Sequence, residues 1–134
     1  MTAQAQEPIW LSLTNVPMLH AESLNYFGGL PGVRDEGLLE SAIDRPRNKF
    51  GLGNTTDLFE LAAAYGFGIA KNHAFMDGNK RTALLSIRAF LFRNGYSFAP
   101  KETETVTMIE GLAAGGIDED MLARWIGENS SRLT

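Results

Sequence analysis

The chain has 134 residues, which is enough for one domain to bury a stable core without disulfides or structural metals. It contains no cysteine, carries a formal net charge of −4, and is 44% hydrophobic and 21% charged. This composition is ordinary for a globular protein and excludes disulfides and cysteine-ligated zinc. The net charge argues against a general nucleic-acid or membrane partner, which needs a basic surface. We predict one domain over residues 1–134.

The N-terminal residues 1–10 read MTAQAQEPIW and have neither the positive segment nor the apolar core of a secretion signal. No later stretch approaches the roughly 20 apolar residues of a membrane-spanning helix. The lack of cysteine is compatible with a reducing compartment. We therefore expect a cytoplasmic protein.

The first elements in chain order are a short segment and two helices. Residues 9–13 are compatible with an extended segment. Asn15 is the predicted cap of the first helix, which should end at the glycine pair 28–29. Asp35 is the predicted N-cap of the second helix. This helix should stop before Pro46, because proline disfavours helical geometry in the residue that precedes it.

The third helix is the predicted centre of the core. It should run from residue 58 to about residue 71, opened by Thr56 or Asp57, and it is apolar on most faces. Gly66 and Gly68 are expected to allow close packing against a neighbouring helix.

Three further helices complete an all-α prediction. The spacing of apolar residues indicates one over residues 82–94, a second over residues 102–114 and a third that begins near Asp118. By its composition, residues 45–54 form a loop between the second and third helices. Six helices with short connections predict a single compact all-α domain.

Residues 73–81, HAFMDGNKR, stand immediately before the fourth helix. The free N–H groups and the positive dipole end of a helix N-terminus favour a bound anion such as phosphate. Lys80 and Arg81 lie in that first turn, where cations are otherwise unfavourable, so a polyphosphate is the expected ligand. His73 is placed to act as a base, and Asp77 offers an oxygen ligand for Mg²⁺.

Each motif residue also has an ordinary structural explanation when it is taken alone. Asp77 and Gly78 suit a turn, and Asn79 suits a helix cap. Lys80 and Arg81 suit a solvated surface. The combination within nine residues nevertheless favours a phosphate-binding site.

The motif resembles the signature of the Fic/Doc superfamily, and in particular of its Doc branch, which contains toxins of bacterial toxin–antitoxin pairs. The general Fic pattern HxFxxGNGRxxR is broken at two positions, where Lys80 replaces the second glycine and Leu84 replaces the last arginine. The Doc pattern HxFx[DN][AG]NKR fits at every fixed position. The resemblance covers roughly residues 10–127, with similar segments YFGGLPG (26–32), RDEGLLESAIDRP (34–46), TDLFE (56–60) and RNGY (93–96).

The resemblance implies a six-helix Fic/Doc domain that serves as the toxin of a type II toxin–antitoxin system. It implies a protein kinase that uses ATP and Mg²⁺ to phosphorylate a Ser/Thr hydroxyl of a translation factor, with elongation factor Tu as the expected target, and so inhibits translation. The implied partners are this protein substrate and a cognate Phd-like antitoxin, without direct nucleic-acid or membrane binding. Two alternatives stay open: protein adenylyltransfer of the Fic type, and a non-catalytic nucleotide-binding interaction module.

Positions 80 and 84 favour the kinase. A glycine at position 80 would let phosphates lie against the backbone, whereas Lys80 fills that space with a cationic side chain. Leu84 removes a guanidinium that anchors nucleotide phosphates bidentately in AMP-transferring relatives. A nucleotide that presents its γ-phosphate to His73 is therefore the better prediction.

The predicted catalytic residues are His73, Asp77, Lys80 and Arg81. The predicted phosphate-binding set adds two neighbours in the same turn and reads Gly78, Asn79, Lys80 and Arg81. Asp77 is the predicted Mg²⁺ ligand.

Four further residues of the chain have assignments outside this set. Phe75 is predicted to be a buried anchor of the loop, and His20 an ordinary packed or surface histidine. The family places a flap for substrate docking beside the active site. If residues 45–54 form it, Lys49 and Phe50 are the residues expected to touch the substrate.

Overall fold

The structure is a computed structural model, and it describes residues 6–134. Its elements in chain order are α1 (Asn15–Phe27), α2 (Glu36–Gly51), α3 (Leu58–Asn72), α4 (Asn79–Arg93), β1 (Tyr96–Phe98), α5 (Glu102–Ala114), α6 (Glu119–Glu128) and β2 (Ser130–Arg132). The all-α fold with six helices is confirmed. The first five residues, which include part of the segment tested for a secretion signal, lie outside the described residues.

A small antiparallel sheet was not predicted from the sequence. In it β1 pairs with β2, with Tyr96 opposite Arg132 and Phe98 opposite Ser130. The two strands have three residues each and lie far apart in the chain, so no local sequence pattern predicts their pairing.

Helix α3 is the central helix, as predicted, and α2, α4, α5 and α6 all pack against it. Its first turn is capped by Asp57, whose carboxylate accepts hydrogen bonds from the N–H groups of Phe59 and Glu60. A Cβ added to Gly68 would lie 3.2 Å from the Cα of Ala42 in α2. The predicted close approach at this glycine is confirmed.

Helix α2 extends further than predicted. It passes through Pro46 and ends at Gly51, so the loop predicted over residues 45–54 is wrong for most of its length. Pro46 cannot donate to the carbonyl of Ala42, and a Cβ added to Gly68 of α3 would lie 3.4 Å from that carbonyl oxygen. Close packing of α2 on α3 therefore outweighs the lost hydrogen bond.

The segment before α1 forms no strand over residues 6–12. It is held by side chains of the core helices. The Asn94 side chain bonds both the N–H and the carbonyl of Ile9, at 2.8 and 3.0 Å. The Tyr65 hydroxyl accepts from the N–H of Leu11 at 2.9 Å and donates to its carbonyl at 3.2 Å.

Asn15 is the first residue of α1 and not its cap. The cap position is Thr14, whose side chain makes no capping hydrogen bond. The Asn15 carboxamide oxygen accepts from the N–H and the hydroxyl of Ser12 instead. The predicted end of α1 before Gly28 is confirmed.

No helix within residues 6–134 has both the length and the apolarity that a membrane crossing requires.

Candidate active site

The connection between α3 and α4 forms one side of a cleft of about 520 Å³. Helix α5 supplies the opposite side through Thr105, Val106, Ile109 and Glu110. Six residues that the sequence singled out line this cleft together: His73, Asp77, Gly78, Asn79, Lys80 and Arg81.

His73 ends α3 in a left-handed conformation, with φ 50° and ψ 47°. This backbone region is uncommon for a residue with a side chain and costs on the order of 1–2 kcal/mol. Arg34 stabilises it, because its guanidinium donates to the carbonyls of His73 at 2.8 Å and Asn72 at 3.3 Å. The imidazole is left exposed in the cleft, where it is able to accept a proton.

The residues after His73 pair with an upstream loop. The carbonyl of Ala74 accepts from the N–H groups of Arg34 and Asp35 at 2.7 and 3.1 Å, and the N–H of Met76 donates to Gly32 at 3.1 Å. This short antiparallel pairing fixes the motif backbone against residues 28–35.

Phe75 is 1% exposed, so its predicted role as a buried anchor is confirmed. The Asn79 side chain bonds both backbone groups of Phe75, accepting from the N–H and donating to the carbonyl, each at 3.0 Å. Asn79 therefore holds the loop through its side chain. Its backbone N–H has no acceptor among the described residues and is left to contact a ligand.

Asp77 lines the cleft. One oxygen accepts from the N–H of Gly78 at 3.1 Å and the other from the N–H of Leu30 at 3.3 Å. The side chain is exposed and retains free lone pairs. One carboxylate suits Mg²⁺ that also binds substrate phosphates and water. No cluster of three or more potential ligands exists among residues 6–134 that would hold an ion without such a substrate.

The backbone of Asp77 is fixed by His20 of α1. The His20 ring is 4% exposed and stacks on Phe75 with a centroid distance of 3.9 Å and an interplanar angle of 11°. Its Nε2 lies 2.7 Å from the carbonyl oxygen of Asp77. Since a carbonyl only accepts, Nε2 must carry the proton. His20 is thus a packed histidine, as predicted, but it also contacts the motif.

The start of α4 offers an anion site. Gly78 occupies the cap position with φ 75°, in the left-handed region that glycine adopts without strain. The N–H groups of Asn79, Lys80 and Arg81 have no hydrogen-bond acceptor among the described residues. Together with the helix dipole, these free donors favour a negatively charged group.

Both cations of the motif contact other residues of the chain. Lys80 Nζ lies 3.1 and 3.0 Å from the two carboxylate oxygens of Glu110. The Arg81 guanidinium lies 4.8 Å from the centre of the Phe27 ring and donates to the carbonyl of Gly28 at 3.3 Å. Both cations are at least partly exposed, so an incoming phosphate is able to compete for them.

Lys49 and Phe50 do not line the cleft. Both lie on α2, where Lys49 forms an ion pair with Glu119 of α6. The Phe50 ring packs edge-to-face on Trp10 at 5.6 Å. The loop that lies beside the motif comprises residues 28–35. The sequence does not predict this loop as part of the site.

Three residues of this arrangement were not assigned to the site by the sequence reading: His20, Arg34 and Glu110. His20 and Arg34 lie on upstream elements that reach the motif only through the fold, and Glu110 belongs to an ordinary amphipathic helix. The only available signal was the similarity of residues 26–32 and 34–46 to Doc-branch segments, which marked the upstream loop without giving it a role.

Comparison with known proteins gives one matching family model and two similar proteins. The model of the Fic/DOC family matches residues 10–91, which is more than half of the chain. The protein named protein kinase doc from Escherichia phage P1 is 41% identical over 106 residues, covering 78% of this chain and 82% of that protein. The protein named toxin Doc from Mycolicibacterium smegmatis is 45% identical over 74 residues, covering 54% of this chain and 57% of that protein.

Proposed function

The chain belongs to the Doc branch of the Fic/DOC family, and on this basis we propose that it is a toxin acting as a protein kinase. The reaction is transfer of the γ-phosphoryl group of ATP to a Ser/Thr hydroxyl of a translation factor. We propose elongation factor Tu as that substrate, with inhibition of translation as the result. The names of the two relatives support the kinase and toxin assignments.

The observation that carries the choice of reaction is the identity of two cleft residues. Lys80 and Leu84 both line the cleft, at the positions where the general Fic pattern has glycine and arginine. Lys80 supplies a charge that suits a transferring γ-phosphate. Leu84 offers no guanidinium to anchor the phosphates in the pose that AMP transfer uses.

The proposed mechanism begins with His73 as the general base. The hydroxyl oxygen of the substrate attacks the γ-phosphorus, its proton passes to the His73 imidazole, and the bond between the γ-phosphorus and the oxygen of the leaving ADP breaks. The backbone amides at the start of α4, with Lys80 and Arg81, stabilise the charge on the transferring group. Asp77 would hold Mg²⁺, which when bound would neutralise part of the phosphate charge.

The test of the reaction is transfer of label to elongation factor Tu from γ-labelled and α-labelled ATP in parallel. We expect label only from the γ position and none with His73→Ala. His20→Gln should be assayed beside it, because this variant changes the chain's other histidine and keeps His73, the proposed base. Efficient α-label transfer by the unmodified protein would replace the kinase by the Fic-type adenylyltransferase.

The proposed biological partner is a Phd-like antitoxin of a type II pair. Expression of the protein alone should arrest bacterial growth, His73→Ala should not, and co-expression of an antitoxin encoded beside it should restore growth. A harmless wild-type protein that still binds ATP with Mg²⁺ would instead support the third candidate, a non-catalytic nucleotide-binding module.

A further inference from the structure

His20 is a buried titratable residue for which the proposed mechanism has no use. It is 4% exposed, and its nearest polar contact is the carbonyl oxygen of Asp77, 2.7 Å from Nε2. Phe75 covers one face of the ring. A buried donor aimed at the one residue proposed to bind Mg²⁺ calls for a functional explanation.

The connection between His20 and the Asp77 carboxylate runs through a single peptide unit. The carbonyl that accepts from His20 belongs to the same planar group as the N–H of Gly78. That N–H in turn donates to the Asp77 carboxylate at 3.1 Å. Rotation of this peptide would break both hydrogen bonds together, so the imidazole fixes the carboxylate without touching it.

The same peptide also sets the start of α4. Gly78 follows it with φ 75°, and the Gly78 carbonyl accepts from the N–H and the hydroxyl of Thr82 at 3.0 and 2.8 Å. The orientation of the peptide thus determines where the free amides of the first turn point. One hydrogen bond from α1 therefore acts on the orientation of both the proposed metal ligand and the anion site.

We propose that His20 is a positioning residue, which orients the Asp77 carboxylate and the α4 N-terminus for Mg²⁺ and ATP through the Nε2–H bond to the Asp77 carbonyl. This inference rests on the proposed function, since it assigns His20 to the same site. Residues that orient metal ligands typically affect metal affinity by about 10- to 100-fold. The expected effect therefore lies in Mg²⁺ dependence more than in folding.

Two substitutions separate the hydrogen bond from the stacking contact. His20→Phe keeps an aromatic ring against Phe75 but removes the donor. His20→Gln places an amide N–H at a reach similar to Nε2 but removes the ring. The expected order of Mg²⁺ affinity is wild type, then His20→Gln close to it, then His20→Phe lower by about tenfold or more.

The measurements are calorimetric titration of Mg²⁺ in the presence of ATP and the Mg²⁺ concentration that gives half-maximal phosphoryl transfer. A purely structural role would lower the fraction of binding-competent protein and leave the half-saturating Mg²⁺ concentration unchanged. His20→Phe with wild-type Mg²⁺ affinity would therefore overturn the inference. If His20→Phe does not fold, His20→Gln provides the test. Weak Mg²⁺ binding by a folded His20→Gln would also overturn the inference, because this variant keeps an N–H donor.

The protonation of His20 is open to direct test, because the chain has only two histidines. In the His73→Ala variant, nitrogen NMR of the remaining imidazole should show a proton on Nε2 that exchanges slowly with solvent. A bare or rapidly exchanging Nε2 would overturn the inference alone. A wild-type protein that binds no Mg²⁺ and ATP would overturn the proposed function as well, so the two failures are distinguishable.

Discussion

The ion pair between Lys80 and Glu110 places a negative charge inside a cleft proposed to bind ATP. Its side chains are 43% and 62% exposed, so the pair stabilises the fold by at most about 1 kcal/mol. Such a weak contact breaks readily when a phosphate arrives. Glu110 therefore competes with ATP for Lys80. Its carboxylate pairs with the cation that the phosphate would bind, and its negative charge repels the nucleotide.

Glu110→Gln should therefore lower the KM for ATP by about two- to five-fold, with little effect on kcat. Glu102→Gln is the matched control, because it makes the same charge change in the exposed first turn of the same helix, away from the cleft. Steady-state kinetics at fixed Mg²⁺ would measure the effect. Equal KM shifts in the two variants would assign the change to net charge and not to the ion pair.

Asp77→Asn should abolish phosphoryl transfer without unfolding the domain. The carboxamide keeps one of the two oxygens that accept from Gly78 and Leu30, and the side chain is exposed, so helix packing is unaffected. The lost negative charge removes the proposed metal ligand and should lower kcat by about 10³-fold or more. Circular dichroism and the labelled transfer assay would be read together. A cooperative loss of helicity would mean that Asp77 is a structural residue.

At the scale of elements, the site depends on the approach of the loop at residues 28–35 to the motif. A Cβ added to Gly29 would lie 3.1 Å from a carboxylate oxygen of Asp77 and 3.0 Å from a methyl of Leu24. Gly29 also has φ 120°, a conformation that residues with side chains rarely adopt. A side chain at this position would therefore be strained and would crowd the Asp77 carboxylate.

Gly29→Ala should displace the Asp77 carboxylate and weaken Mg²⁺-dependent activity by about tenfold or more. Gly28→Ala is the control, because its φ of 76° is also positive but a Cβ there meets nothing within 4 Å. Both variants should lose some thermal stability, and only Gly29→Ala should require more Mg²⁺. If Gly28→Ala shifts the Mg²⁺ requirement equally, backbone strain and not crowding at Asp77 is responsible.

The sequence predicted the features that depend on neighbouring residues and missed those that depend on tertiary packing. The cap at Asp57, the bounds of α5 and the buried Phe75 follow from spacing and side-chain chemistry within a few residues. The continuation of α2 past Pro46 depends on its contact with α3, and no pattern within α2 reveals that contact. Proline is a strong local signal for a helix end, but tertiary packing overrode it here.

The candidate site likewise combines residues that the sequence predicts with contacts that it does not predict. Its motif residues are contiguous, so the sequence alone brings them together. The contacts of His20 and Arg34 with that motif span 57 and 39 residues of chain. Glu110 pairs with Lys80 across 30 residues. Contacts of this separation arise only when α1, the loop at residues 28–35 and α5 have packed against the motif.

At the scale of the whole molecule, Tyr65 joins the N-terminal segment to the centre of the fold. It lies on α3 with no exposed surface, and its hydroxyl makes two hydrogen bonds to the backbone of Leu11. Burial raises the pKa of Tyr65 to about 12, and the Leu11 hydrogen bond and nearby arginine charges oppose this rise only in part. The fold therefore favours the neutral phenol.

This pKa has a consequence for stability in alkaline solution. The folded value of about 12 exceeds the ordinary value of 10.0, so the contribution of Tyr65 to stability is fully present below pH 10. It is lost as the pH rises from 10 through 12, because the unfolded chain releases the proton first. The difference between the two pKa values corresponds to about 3 kcal/mol.

Tyr65→Phe tests this directly, because it keeps the ring in the core and removes both the hydroxyl and its titration. Near neutral pH the variant should be less stable by about 1–3 kcal/mol, since the backbone groups of Leu11 lose their partner. Between pH 10 and pH 12 the wild-type free energy of unfolding should fall more steeply, so the two proteins converge or cross. Urea unfolding at intervals of pH would measure both curves. The other tyrosines and the lysines titrate in both proteins and cancel in the difference, so parallel curves through this range would show that Tyr65 ionises without cost in the folded state.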